Sequence, residues 1–158
     1  DAVAAVGQAF PPAAVLALAV PAVGFGAAPT LIALSIYGVL PVLANAVAGL
    51  DGVPTEVKEA ATGIGYTPAK LLRDVELPLA APAILAGVRV SVAIGIGTAA
   101  IGSTVGAVTL GTPIISGLYG DRIPWVIQGA VVAGLFAILT DTAFERLGRH
   151  IARRAGAA

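Results

Sequence analysis

Neither cysteine nor methionine occurs among the 158 residues, and histidine and tryptophan occur once each. Without thiols the chain can form no disulfide framework and no thiolate metal site. The one histidine, His150, sits in a basic tail, and no Ser–His arrangement or pair of intramembrane aspartates is present, so an intramembrane protease or similar enzyme is a poor fit. No glycine-rich segment ends in Gly-Lys-Ser or Gly-Lys-Thr, so there is no phosphate loop. Charge is scarce: charged residues make up 11% and hydrophobic ones 58%, against about 25% and roughly 45–50% in soluble domains. A soluble fold could hardly hide that much apolar surface, which points to a lipid bilayer as the solvent. Basic and acidic side chains balance at nine each, so no nucleic-acid partner is expected. Aromatics, at 5%, are too few to build a cage for a quaternary amine. Asp1 in place of an initiator methionine suggests a fragment lacking upstream helices, and no signal peptide is visible.

Long uncharged runs dominate what remains. Residues 2–50, 90–120 and 123–140 carry no charge, and a helix crossing a bilayer needs about 20 apolar residues. The pattern predicts an all-α, polytopic membrane bundle in one domain over 1–158, with spans at about 10–24, 30–50, 79–103 and 125–144. Arg146, Arg149, His150, Arg153 and Arg154 follow the last span. The positive-inside tendency puts this tail in the cytoplasm, and counting back puts residues 54–78 inside as well. Asp121 and Arg122 mark the opposite aqueous rim, with Trp125 as an interfacial anchor.

Residues 54–78 form a polar island between apolar regions. Pro54 can open a helix, and Val57, Ala60, Ala61 and Ile64 recur at helical spacing as a narrow apolar stripe with Glu56 and Lys58 off it. Gly63 and Gly65 stop that helix. Thr67 and Pro68 restart one as N-cap and first-turn residue, with Leu71, Leu72 and Val75 as its stripe. Pro78 disfavours the α region at Leu77, so a bend or break is expected there.

This island resembles the cytoplasmic coupling loop of binding-protein-dependent ABC importer permeases. The family pattern of Glu-Ala-Ala, a glycine, an aliphatic residue and Leu-Pro falls on Glu59, Ala60, Ala61, Gly65, Val75, Leu77 and Pro78, with Val75 standing where isoleucine is usual. Gln8-Ala9-Phe10-Pro11 is similar to a stretch common in osmoprotectant permeases of that family. The segment 105–111 with 114–118 is similar to a family glycine-rich turn and short helix, although Val108 and Thr109 replace two glycines. The resemblance implies a type I ABC importer permease fold and a transport subunit for glycine betaine, choline or carnitine. It further implies a second permease subunit, a cytoplasmic ATPase that binds the ATP, and an extracytoplasmic binding protein. Glu59, Ala60, Ala61 and Gly65 would contact the ATPase, with Leu77 and Pro78 completing the coupling motif. A permease for another solute such as an amino acid, or a secondary transporter or channel, is the alternative reading; no inverted repeat of the kind secondary transporters carry is visible.

Three further sets stand out inside the spans. Tyr37, Pro41 and Asn45 recur every four residues, a face that either lines the conduit or makes interhelical hydrogen bonds. Gly87, Ser91, Gly95, Ala99 and Ser103 form a row of small side chains that lets another backbone come close, in this chain or in a second copy. Arg89 and Asp141 lie at matching depths near the cytoplasmic side and are expected to pair, since unpaired charges there each cost a few kcal/mol. In a double-mutant cycle, Arg89→Ala and Asp141→Ala should be non-additive in stability by about 0.5–3 kcal/mol; additive effects would break the pair.

Overall fold

A computed structural model describes residues 10–154, with side chains as far as Ile151. Gln8 and Ala9 of the N-terminal resemblance lie outside the described residues. All regular structure among the described residues is helical: α1 (Pro12–Val23), α2 (Ala27–Asp51), α3 (Thr55–Gly63), α4 (Pro68–Leu71), a π-helical turn (Leu72–Glu76), α5 (Leu77–Gly102), a 3-10 turn (Ser103–Val105), α6 (Thr112–Tyr119) and α7 (Ile123–Arg154). Three stretches are long and apolar enough to cross a membrane: Ala27–Asp51, the continuous helical run Pro68–Val105, and Ile123–Ile151.

The first expected span differs. Pro11 adopts an extended conformation and Pro12 begins a helix of only 12 residues, which Gly24 ends at φ 79°. Such a helix is about 18 Å long, short of a hydrocarbon core of about 30 Å. The second span starts three residues earlier than expected, because Pro29 sits in the first turn of α2, where a missing N–H leaves nothing unpaired.

At Pro78, where a bend or break is expected, the structure has a π-helical turn just before the proline. Leu77 is α-helical (φ −62°, ψ −44°) and its N–H reaches the Leu72 carbonyl, five residues back. The widened turn before Pro78 makes room for the proline ring, and proline needs no donor of its own. The helix therefore runs on through Leu77, which the dipeptide preference steers away from the α region.

Contacts group the chain into two units, one of the residues up to Leu40 with Ser91–Asp141, the other of Pro41–Val90 with the residues from Thr142 onward. In the first, Leu16, Ala33, Tyr37 and Val105 form a buried cluster with Val15 and Val20 packed against it. Gly26 N–H donates to the Val105 carbonyl at 2.7 Å, joining the α1–α2 turn to the end of the 3-10 turn. Gly95 faces Leu34, and a methyl placed on Gly38 would stand 3.0 Å from the Ser91 hydroxyl. In the second unit a methyl on Gly87 would lie 2.7 Å from both the Pro41 carbonyl oxygen and the Asn45 Cβ, and one on Gly49 would lie 2.8 Å from the Ala83 Cβ. The neighbour of the small row's first three members is thus α2 of the same chain.

Gly87→Leu should strain this packing by about 1–3 kcal/mol or more, whereas Gly97→Ala, with nothing within 4 Å of the new methyl, should leave stability unchanged or slightly raised. Thermal unfolding of the two variants in detergent measures the difference.

Candidate functional site

The polar island folds as a short lever. Pro54, extended at φ −56°, serves as N-cap of α3, and Glu56 lies in the first turn, where its charge suits the positive end of the helix. At the other end Gly65 takes φ 90°. Its N–H donates to the Thr62 carbonyl at 3.0 Å, and the Tyr66 N–H donates to the Ala61 carbonyl at 3.1 Å. This pair of bonds is a Schellman cap, which satisfies two carbonyls that the helix end would otherwise leave open. Gly65 is therefore required by its backbone: a side chain there would strain the left-handed conformation even though the space around it is open. Thr67 then accepts from the Lys70 N–H at 3.4 Å and Pro68 opens α4, as the sequence predicts.

One side of α3 is anchored and the other is open. Val53 and Ala61 are buried at 5% and 7% exposure, whereas Ile64 is 77% exposed. Glu59 and Ala60 are exposed, and Glu59 has no ion-pair partner among the described residues. Ala61, which the resemblance groups with Glu59 and Ala60 as an ATPase contact, lies on the face of α3 that packs against the chain itself. Its small size serves that packing. Leu77 is 41% exposed and Pro78 is exposed beside it.

Lys58, left off the stripe in the sequence reading, is the residue that ties the lever down. Its Nζ lies 3.3 Å from Glu76 Oε1 on the π-helical turn and donates to the Leu50 carbonyl at 3.2 Å near the end of α2. Only the chain's reversal at Gly65 brings positions 58 and 76 together, so spacing alone held no signal for the pair. Lys70 also lies over the Tyr66 ring at 4.3 Å, bracing the turn between the two short helices.

The other candidates are dispersed. Tyr37 is 6% exposed and its hydroxyl donates to the Phe10 carbonyl. Pro41 is buried, and the Asn45 amide folds back to donate to the Pro41 carbonyl at 2.9 Å. Arg89 Nη2 lies 3.9 Å from Glu145 Oε2, and Glu145 is also bonded by Arg149 one turn on; Glu145 had escaped the sequence reading. Ala99 lines an apolar cavity of about 300 Å³ with Leu34, Gly95, Leu110 and Phe136. Ser103, the last of the small row, instead stands 2.7 Å from the Thr109 hydroxyl. Thr109 also accepts from the Gly111 N–H at 3.1 Å, and its own N–H donates to the Thr112 hydroxyl at 2.9 Å. No positive φ occurs at Val108 or Thr109; of the two, Thr109 is held by hydroxyl bonds, while Val108 is exposed.

Gly65→Ala should cost about 1–2 kcal/mol at the cap and speed hydrogen exchange of the Gly65 and Tyr66 amides by roughly tenfold, while Gly63→Ala, at an open helical position, should not.

Comparison with known proteins agrees with this geometry. Residues 1–156 match the family described as binding-protein-dependent transport system inner membrane component. The osmoprotectant import permease protein OsmY of Salmonella typhimurium is 43% identical over 146 residues, which cover 92% of this chain and 62% of that protein. The choline transport system permease protein OpuBB of Bacillus subtilis is 43% identical over 134 residues, 85% of this chain and 62% of its own. The chain thus spans less than two thirds of the length of these relatives. A chain in an inward-facing structure of the MetNI methionine ABC transporter superposes with a TM-score of 0.80 at 25% identity, covering 95% of this chain and 73% of that one; the type I importer permease fold is shared. The chain belongs to the family of inner-membrane components of binding-protein-dependent transport systems.

Proposed function

We propose that this chain is part of the membrane subunit of an ATP-driven importer for small quaternary-amine osmoprotectants of the glycine betaine, choline and carnitine type. The relatives support the solute class, since proteins named for osmoprotectant and choline import match it over most of its length. The observation that carries the coupling role is the lever itself. A short helix is capped at Gly65, anchored through Val53 and Ala61, and offers Glu59, Ala60 and Ile64 to a partner.

In this reading the lever faces the cytoplasm, as does the basic end of α7. ATP is bound by a separate ATPase whose cleft receives α3, with small side chains permitting insertion and Glu59 meeting a basic group. Gly65 sets the angle at which the lever is presented, and Leu77 and Pro78 carry its movement through the widened turn into α5. A second permease subunit completes the path, and an extracytoplasmic binding protein selects the solute. That division of labour fits a chain with too few aromatics to form a cage. Hydrogen bonding of Tyr37 and Asn45 to backbone carbonyls favours structural roles for both. The pairing of Arg89 with Asp141 belongs to the same proposal.

The test uses the full-length permease with its ATPase in lipid nanodiscs. Glu59→Trp and Gly65→Leu should each lower co-purifying ATPase severalfold while helical content stays the same; undiminished association would remove the coupling role. Accessibility of Thr55→Cys to an impermeant thiol reagent in spheroplasts reads the sidedness, and labelling from the outer face would overturn it.

A further inference from the structure

We propose that Lys58 is a positioning residue that braces the lever, locking α3, the end of α2 and the π-helical turn into one body so that a push on α3 reaches both membrane helices. The inference rests on the importer reading above and adds to it the residue through which force would pass.

The need for a brace follows from the backbone. α3 is joined to α2 through Gly52-Val53-Pro54, and to the next helix through Ile64-Gly65-Tyr66-Thr67. A glycine stands in each joint, and glycine restrains the chain least. In a helix of 9 residues held between two such joints, the bonds at each joint are local, the Gly65 cap among them, and none of them ties α3 at once to the end of α2 and to the π-helical turn. Buried contacts at Val53 and Ala61 resist movement of α3 without direction, since apolar contact is not oriented.

Lys58 supplies direction. One ammonium has three donors and no acceptor, and two of its partners come from different helices: the Leu50 carbonyl at 3.2 Å and Glu76 Oε1 at 3.3 Å. The Leu50 carbonyl is one of the last four of α2, which have no partner within the helix. It already accepts from the Val53 N–H at 3.3 Å, so Lys58 adds a second, charge-assisted bond at the negative end of α2. The Lys58 and Glu76 side chains are 30% and 19% exposed, withdrawn enough from water to be less screened than a surface pair. Glu76 is also the last residue of the π-helical turn, directly before Leu77 and Pro78. A pull on it therefore acts on the widened turn that leads into α5.

These 158 residues hold no cysteine, and any cysteine elsewhere in the complex is replaced before labelling. In the full-length permease–ATPase complex in nanodiscs, spin labels are placed at Thr55→Cys with Val47→Cys, and at Thr55→Cys with Leu72→Cys. Both distances are measured without nucleotide and after ATP–vanadate trapping. With Lys58 present each pair should give one narrow distribution that trapping leaves unmoved. Lys58→Ala should broaden both and shift them on trapping, the unbraced population rising roughly 5- to 30-fold as expected for loss of a charge-assisted contact, while ATPase stoichiometry holds. Lys58→Arg should restore the narrow distributions, and Glu76→Gln should release only the Thr55–Leu72 pair. Unchanged distributions in Lys58→Ala, or a lowered melting temperature without any change in them, would overturn the brace. Failure of the wild-type permease to bind the ATPase would overturn the importer reading, and the brace with it.

Discussion

Close approach of helix backbones is the constraint from which the rest of this structure follows. At Gly87 a single methyl group would collide with the Pro41 carbonyl and the Asn45 Cβ, and at Gly49 it would collide with Ala83. Lipid tails are as apolar as leucine, so helices in a bilayer gain little from hiding greasy side chains. What holds them is contact made by atoms that would otherwise be kept apart. The chain therefore spends glycine, alanine and serine where α2 and α5 meet and turns its larger aliphatic side chains outward. Val39, Leu43, Val47, Leu135 and Leu139 are all exposed on the long helices, as lipid-facing residues of a membrane protein should be.

Polar groups are then used sparingly, and mostly on the backbone. The Tyr37 hydroxyl and the Asn45 amide both go to carbonyls. Thr62 and Thr140 donate to carbonyls one turn back on their own helices. Charges gather at the lever and along the last turns of α7, where Glu145 takes both Arg89 and Arg149. At the other end of α7, Arg122 lies over the Trp125 ring at 4.8 Å, so a cation and an aromatic mark that margin together.

Much of this was legible because certain residues admit few structures. Gly65 announced the end of α3 and Thr67-Pro68 the start of the next helix; the Schellman cap and the threonine cap are those expectations realised. The small row suggested close packing, and its first three members lie against α2. Three features were not legible, each for a physical reason. A rule about residues before proline cannot register that a helix has a five-residue hydrogen-bond pattern in reserve, so the irregularity expected at Pro78 took the form of a widened turn with Leu77 still α-helical. Apolar composition around residues 10–24 did not reveal that two prolines and Gly24 leave room for only 12 helical residues. Lys58 and Glu76 are neighbours only after the chain has doubled back, and no local pattern encodes that.

The π-helical turn at Leu72–Glu76 also acts as a phase shifter. Each residue advances an α-helix by about 100°, so one carbonyl skipped in the hydrogen-bond ladder rotates everything beyond it by a comparable angle. Side chains before and after the turn therefore obey two separate wheels, and a wheel drawn through both would assign the outward face of one to the inward face of the other. Selection can thus adjust the face that α3 and α4 present and how α5 meets its neighbours without one choice dictating the other.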